Sequence, residues 1–224
     1  RKAEGENHRL RDGGGYPLCG RGDVNTYAVF AELFTNTVAP SGRSGFIVPT
    51  GIATDDGNKY FFQSLVDGKR LAVLRDFENR KAIFSSVHRS YKFSLITATG
   101  SADPQQAAEF FFFALGVEDL ADPERQITLS PEDIVRINPN TRTCPIFRTR
   151  RDAEITKAIY SRVPVLLREP QGEDHPEENS WGVSFMRMLD MSNDSHLFVN
   201  RAAAEAEKWE LNSKIDVNVF IKGH

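Results

Sequence analysis

RGDVNTYAVFAELFTNTVAPSGRSGFIVPTGIA, the stretch from Arg21 to Ala53, has the pattern of one α/β unit. Apolar side chains recur at spacings of three and four from Tyr27 to Val38, which predicts an amphipathic helix over this segment. We expect Phe30 and Phe34 to lie on its buried face. Pro-Ser-Gly ends the helix, and the unbroken apolar run GFIVP that follows predicts a strand covered on both faces. Asp23 or Asn25 is the expected N-cap of the helix.

Two further strands and one helix are predicted before residue 100. RLAVLRDF, from Arg70, and YKFSLITAT, from Tyr91, are the strand-like runs, and the helix covers residues 59–66. The polar, glycine-rich segment 1–22 predicts a mobile loop. Together these elements indicate an α/β fold built on an open sheet.

The composition changes at Gly100-Ser-Ala-Asp-Pro, where we place a domain boundary. Beyond it, DPQQAAEFFFFALG (103–116) and DAEITKAIYSRVPVLL (152–167) have helical patterns. The last segment, from residue 202, is predicted to form a helix followed by a strand or hairpin. The sequence thus divides into residues 1–100 and residues 101–224.

The bulk properties are those of an ordinary globular chain. The 224 residues carry a net charge of −3 with 40% hydrophobic and 26% charged residues, so any nucleic-acid surface must be local. No apolar run approaches the roughly 18 residues that a membrane-spanning helix needs, which predicts no membrane partner. Cys19 and Cys144 are far apart and outside any C-x-x-C motif, which indicates two free thiols in a reducing cytoplasm.

Common catalytic and metal-binding motifs do not occur in this sequence. It contains no G-x-x-x-x-G-K-[ST], G-x-S-x-G, H-E-x-x-H or G-x-G-x-x-G pattern. The five histidines are scattered, with no second ligand three or four residues away, so no metal site is predicted.

Several blocks of the chain resemble one enzyme family. GRGDVNTYAVFAELF, APSGRSGFIVPTGI and LRDFENRKAIFSSVHRSYKFSLIT, in this order, look like the second half of a gamma-class adenine-N6 DNA methyltransferase. The group that they resemble is the large single-chain enzymes of type IIG restriction–modification and related phage-defence systems. INPNTRTCPIFRTRRDAEITKAIYSRVPVL and WGVSFMRMLDMSNDSHLF resemble the segment that joins this family's catalytic domain to its target-recognition region.

The resemblance implies that other parts of the family's domain lie outside this sequence. In this family the glycine-rich cofactor loop and an Asn/Asp-Pro-Pro-aromatic tetrapeptide, which holds the target amino group, precede the matching blocks. Neither occurs here, since Asn138-Pro139 lacks the second proline and the aromatic residue. We therefore expect no catalytic residue in this chain. Most contacts to S-adenosylmethionine would come from an N-terminal half of the methyltransferase, which would be a partner of this chain.

The resemblance also assigns a target-base pocket. Phe84, in AIFSSV, corresponds to the aromatic residue that packs on the extruded adenine, although it could instead plug the core. Asn25 and Tyr27 correspond to the pocket-shaping entry of the first helix, with an N-cap and a core aromatic as the alternatives. Pro49 and Thr50 end a strand at its carboxyl edge, where open α/β sheets bind ligands, or they form a simple turn.

An arginine-rich segment predicts contacts with the phosphates of double-stranded DNA. Lys92 is a further candidate, or else protects a sheet edge. The alternative for the arginines is a solvated face that pairs with the acidic stretch 118–133. The candidate arginines are Arg136, Arg142, Arg148, Arg150 and Arg151.

These patterns and the resemblance together predict one architecture. Residues 1–100 form the C-terminal half of a Rossmann-like methyltransferase sheet, and residues 101–224 form an α+β connector and the start of a DNA-recognition region. The expected function is part of a site-specific adenine-N6 DNA methyltransferase of a restriction–modification or anti-phage system, inactive as this chain alone. The alternative is a non-catalytic DNA-binding or assembly module that retains a methyltransferase scaffold.

Overall fold

The structure, a computed structural model, describes residues 2–22, 24–170, 172, 174–184, 190, 192–211 and 220–222. The chain divides into two compact units, Arg1–Trp181 and Gly182–His224. The described helices are α1 (Lys2–Asp12), α2 (Thr26–Thr37), α3 (Gly51–Thr54), α4 (Lys59–Asp67), α5 (Pro131–Ile137), α6 (Arg150–Tyr160) and α7 (Arg201–Ala206). The described strands are β1 (Arg43–Pro49), β2 (Leu71–Glu78), β3 (Lys92–Thr99), β4 (Ala108–Ala114), β5 (Ile127–Leu129), β6 (Trp209–Leu211) and β7 (Phe220–Lys222).

The first unit is a mixed α/β fold around a five-stranded sheet with the order β1-β3-β2-β4-β5. Strand β3 lies between β1 and β2 and is antiparallel to both, so β1 and β2 run in the same direction. Strand β4 is parallel to β2, and β5 is antiparallel to β4. The carboxyl ends of β1, β2 and β4 and the amino end of β3 therefore meet at one edge of the sheet.

Most of the core lies on one face of this sheet. Buried residues of α2 to α6 pack there against side chains such as Phe46, Leu74 and Ile96. The opposite face carries a smaller cluster built on Phe77 and Phe111, with Phe93 packed against it. Successive side chains of a strand point to opposite faces of the sheet. Phe77 and its cross-strand partner Phe93 therefore lie on the face of the smaller cluster, and the residue before Phe77 points to the face of the larger one.

The helix predicted over residues 103–116 is wrong, because Ala108–Ala114 is strand β4. Its Phe110 and Phe112 face the larger cluster, whereas Phe111 lies in the smaller one. A central strand covered on both faces needs a continuous apolar run, which periodicity alone does not distinguish from a buried helix.

The burial predicted for the first helix and strand is also wrong in part. The bounds of α2 agree with the prediction, but Phe30 and Phe34 are 54% and 43% exposed, while the small residues Ala28 and Ala31 are buried. Strand β1 alternates between buried and exposed positions, with Ile47 56% exposed, because the larger cluster covers one of its faces and the other face is open. The exposed aromatic and aliphatic side chains therefore lie at the β1 edge.

The remaining predictions concern the N-terminal segment, the end of α6, the second unit and the boundary at residue 100. Residues 2–12, predicted as a loop, form α1, and the predicted N-cap Asp23 lies outside the described residues. Helix α6 ends at Tyr160, before Pro164. The second unit contains α7 and the antiparallel pair β6–β7, in agreement with the predicted helix and hairpin. The sheet takes β4 and β5 from beyond residue 100, and the functional division at that residue stays a prediction.

Candidate functional site

A cavity of about 430 Å³ opens at the sheet edge where the carboxyl ends of β1, β2 and β4 meet. Tyr27, Pro49 and Tyr91 line it, together with Thr50 and Asp76. Open α/β sheets bind their ligands outside the carboxyl ends of their strands, so this cavity has the expected position of a binding site. Tyr27 and Pro49, two separate candidates from the sequence for the target-base pocket, both line this cavity.

A buried carboxylate forms the floor of the cavity. Asp76, near the end of β2, is 1% exposed and accepts a hydrogen bond from the Thr50 hydroxyl at 2.6 Å. The same hydroxyl lies 3.0 Å from Ser94 Oγ on β3. The backbone N–H of Phe113, on β4, donates to the second carboxylate oxygen of Asp76 at 3.1 Å. Asp76 and Thr50 together thus connect the ends of four strands.

Burial raises the pKa of the Asp76 carboxyl, because removal from water disfavours its charged form. The hydrogen bonds from Thr50 and Phe113 act in the opposite direction and reduce this rise. A carboxyl with a raised pKa in a cavity is a common feature of binding and catalytic sites, and it is also found in structural networks. Its position on the floor makes Asp76 a determinant of the polarity of the cavity.

Tyr27 separates this cavity from a second one of about 460 Å³, and both cavities are also lined by Asp55. The phenol oxygen of Tyr27 accepts a hydrogen bond from the Asn58 side chain at 3.3 Å, and the same amide donates to the Gly51 carbonyl at 3.1 Å. The Arg21 guanidinium stacks 4.5 Å from the centre of the ring of Tyr60, beside the second cavity. Tyr27 is therefore a fixed wall between two adjoining spaces.

Asn25 lines the second cavity and not the first. It occupies the N-cap position of α2 in an extended conformation, but its side chain makes no capping hydrogen bond. The amide of Asn25 is thus exposed beside the cavity. Asn25 is thus the N-cap residue that the sequence offered as an alternative, by position and backbone conformation and without a capping bond from its side chain.

Phe84 lies outside the cavity that contains Tyr27 and Pro49. Its ring packs edge-on against Phe93 at 4.9 Å, on the sheet face opposite to Asp76, and it is 38% exposed. The buried side chain of Asn79 holds this loop, because its amide donates to the carbonyls of Phe84 and Val87 and its oxygen accepts from the Phe84 N–H. Phe84 is therefore a partly exposed residue on a braced loop beside the site.

Two of the predicted phosphate-binding arginines are engaged within the protein. Arg142 pairs with Asp67 at 3.2 Å. Arg150 donates to the Pro123 carbonyl at 2.6 Å and lies 4.0 Å from Glu124. Since both Pro123 and Glu124 belong to the acidic stretch 118–133, Arg150 follows the alternative interpretation of this segment.

The other predicted cations lie in different places. Arg151 is exposed on α6, and Arg136 is exposed beside a further cavity next to α5. Lys92 and Arg148 both lie against the ring of Phe113, at 4.6 Å and 4.9 Å from its centre. Lys92 begins the internal strand β3, so it does not protect a sheet edge. The predicted strip is thus divided, and Arg148 meets Lys92, which lines the cavity, at the ring of Phe113.

The sequence did not reveal the parts that Asp76 and Phe113 play. Asp76 sits within the predicted strand RLAVLRDF, where the signal was a single acidic residue among apolar ones. Phe113 lay in the segment that was predicted to be helical. Its φ of +59° is a backbone conformation that bulky residues rarely adopt, and no sequence pattern indicates it.

The described residues contain neither a reactive cysteine nor a cluster of metal-binding side chains. Cys19 and Cys144 are buried free thiols. Burial, and then the Glu32 carboxylate, raise the pKa of Cys19 to about 12, and burial raises that of Cys144, so both thiols are poor nucleophiles. No group of three or more metal-binding side chains occurs among the described residues. No described helix combines the length and the apolar character needed to cross a membrane.

Comparison with solved structures gives remote likenesses. The chain matches no family model and no curated protein. A chain from a solved structure on complex assembly and conformational transition of the type I R-M system aligns with a TM-score of 0.41 and 13% identity. The alignment covers 63% of the present chain and 37% of that one. A likeness at this level establishes neither a family nor an activity.

Proposed function

We propose that this chain is part of a site-specific adenine-N6 DNA methyltransferase of a restriction–modification or anti-phage system. The reaction transfers a methyl group from S-adenosylmethionine to the exocyclic nitrogen of an adenine in double-stranded DNA. The adenine must first leave the base stack, because the target atom is not accessible inside the duplex. An enzyme of this kind therefore needs a cavity for the extruded base.

The observation that carries the proposal is the cavity at the carboxyl edge of the sheet. Tyr27, which the family resemblance places at the base pocket, and Pro49, which the carboxyl-edge rule for open α/β sheets predicts as a ligand contact, both line this cavity. The two residues are 22 positions apart in the sequence, and the fold of α2 and β1 brings them together. Tyr91 adds a second aromatic side chain, and aromatic rings hold extruded bases by stacking.

The polar floor suits a base that carries hydrogen-bonding groups. Thr50 and Asp76 present oxygen atoms to the cavity, and Asp76 can act as an acceptor, or as a donor when it is protonated. The second cavity, across Tyr27, provides an adjoining space in which a methyl donor would lie near the base. In this proposal most other contacts to S-adenosylmethionine come from an N-terminal half of the methyltransferase.

The test is DNA methylation by the full-length protein in a bacterial host without adenine methylation. We expect N6-methyladenine at one sequence motif in the host DNA. Tyr27→Ala should lower methylation about tenfold to a hundredfold, since a base stacked on an aromatic ring is worth roughly 1–3 kcal/mol. Arg43→Ala is the control, because Arg43 lies at the other end of β1, where it pairs with Asp103.

Two results would contradict the proposal. Host DNA without N6-methyladenine, from a folded protein that still binds DNA, would favour the non-catalytic module with a methyltransferase scaffold. Equal methylation by the Tyr27→Ala and Arg43→Ala variants would show that the base binds elsewhere.

A further inference from the structure

Two cations from distant parts of the sequence share one aromatic ring at the mouth of the cavity. Lys92 Nζ lies 4.6 Å and Arg148 Cζ 4.9 Å from the centre of the Phe113 ring. The two charges are therefore within about 10 Å of each other. Lys92 itself lines the cavity, and so does Ile146, two residues before Arg148. Lys92 thus borders the opening, and Arg148 lies against the same ring as Lys92.

The ring that holds these cations is fixed to the cavity floor. Phe113 has a left-handed backbone conformation, with φ of +59°, which is strained for a bulky residue. Its N–H donates to the buried carboxylate of Asp76, and this bond holds the strained residue in place. A cation over a ring face is attracted by the electron density of the ring, and a stacked guanidinium keeps its N–H groups available.

The charge around the two cations is only partly neutralised. Glu78 lies 3.4 Å from Lys92 and also pairs with Arg80. Arg148 has no carboxylate partner among the described residues, and its side chain is exposed. The mouth of the cavity therefore presents one free guanidinium and one ammonium whose carboxylate is shared with another cation.

We propose that Lys92 and Arg148 bind the phosphodiester group that flanks the nucleotide whose base enters the cavity. This inference rests on the proposed function and assigns two cations to one step of DNA binding, the capture of the extruded nucleotide. A phosphate oxygen replaces Glu78 as the partner of Lys92, while Arg148 donates to the same phosphate or to the next one. Arg142 and Arg150 take no part, because internal groups already occupy them.

The experiment measures binding of the full-length protein to a fluorescent single-stranded oligonucleotide of adenine and thymine over a range of salt concentrations. Each phosphate contact that is lost lowers the slope of log K against log salt by about 0.7. We expect this change in Lys92→Ala and in Arg148→Ala, about twice the change in the double variant, and a near-normal slope in Arg148→Lys. Glu78→Gln should bind more tightly than the wild type, because it removes the competing carboxylate.

Arg43→Ala is the matched control, since it removes an exposed arginine at the opposite edge of the sheet. Melting temperatures near the wild-type value would show that the variants are folded. If Lys92→Ala and Arg148→Ala keep the slope of Arg43→Ala while the wild type binds and methylates DNA, the inference is wrong and the proposed function stands. If the wild type binds no DNA at low salt, both are wrong. Competition by adenosine monophosphate as strong as by the oligonucleotide would assign the site to a free nucleotide and overturn the phosphodiester proposal.

Discussion

Burial of Asp76 in the folded chain changes the pH at which its carboxyl releases a proton. Its pKa is raised above the ordinary value of 3.8 by burial, so the folded chain holds this proton at a pH where the unfolded chain has released it. The contribution of Asp76 to stability is therefore greatest below 3.8 and is lost as the pH rises through the interval up to the raised pKa. The sign is opposite to that of a carboxylate in a salt bridge.

The variant Asp76→Asn should remove this part of the pH dependence. Asparagine cannot ionise, so its free energy of unfolding relative to the wild type should increase with pH above 3.8 and then become constant. Its altered hydrogen bonds with Thr50 and Phe113 add an offset that does not depend on pH. Urea unfolding of both proteins from about pH 3.5 to pH 8 measures the difference, and parallel curves would contradict the prediction.

The family resemblance predicts that Phe84 stacks on the extruded base. Tyr91, and not Phe84, lines the cavity. If Phe84 stacks on the base, Phe84→Ala should lower methylation by the full-length protein about tenfold to a hundredfold. Phe84→Trp should lose much less, because it keeps a ring face. A mismatch at the target adenine should restore part of the activity, since it makes extrusion easier.

Melting temperature separates stacking from packing. Phe84 is 38% exposed, so its truncation should cost less than the roughly 3–5 kcal/mol of a fully buried phenylalanine. A collapse of the melting temperature without rescue by the mismatch would make Phe84 a packing residue. Tyr91→Ala is the informative comparison, because Tyr91 is 61% exposed and lines the cavity. Loss of activity in Tyr91→Ala alone would transfer the stacking role to Tyr91.

At the scale of elements, strand β1 has an unpaired edge with exposed apolar neighbours. Phe30 on α2 and Ile47 on β1 are each more than half exposed. Such an edge recruits other chains, so we expect the 224-residue chain to self-associate at micromolar concentration. Ile47→Lys should reduce association measured by sedimentation, whereas Val117→Lys, at an exposed position on a 3-10 turn, should not. A monomeric wild type would contradict this prediction.

The same elements show how far the sequence predicts the fold. Strands β1 to β3 and helix α2 follow from their apolar runs and from helical periodicity, because turn-forming residues mark their ends. Strand β4 does not, since hydrophobic clusters cover both of its faces and its apolar run shows no alternation. The exposure of Phe30 has the same origin: which helix face meets the sheet depends on neighbours, and here Ala28 and Ala31 allow the closer approach.

The part of the candidate site that lies at the end of a strand was predictable from the sequence. Pro49 and Thr50 follow from the rule that open α/β sheets bind ligands at their carboxyl edge. Tyr27 followed from the resemblance. The contacts of Asp76 with Phe113, and of Phe113 with Lys92 and Arg148, join residues far apart in sequence, so no local pattern contains them. They also depend on the backbone conformation of a single residue.

We expect the 224-residue chain to be insufficient for methyl transfer. The sequence contains no glycine-rich cofactor loop, and the described edge of the sheet offers S-adenosylmethionine only the second cavity beside Tyr27. We therefore predict a dissociation constant of about 1 mM or weaker for the 224-residue chain, equivalent to about −4 kcal/mol, and no methyl transfer. Calorimetric titration measures this constant. A micromolar value that Tyr27→Ala weakens would place a complete cofactor site in this chain, whereas millimolar binding by the chain and micromolar binding by the full-length protein would agree with a site shared between two halves.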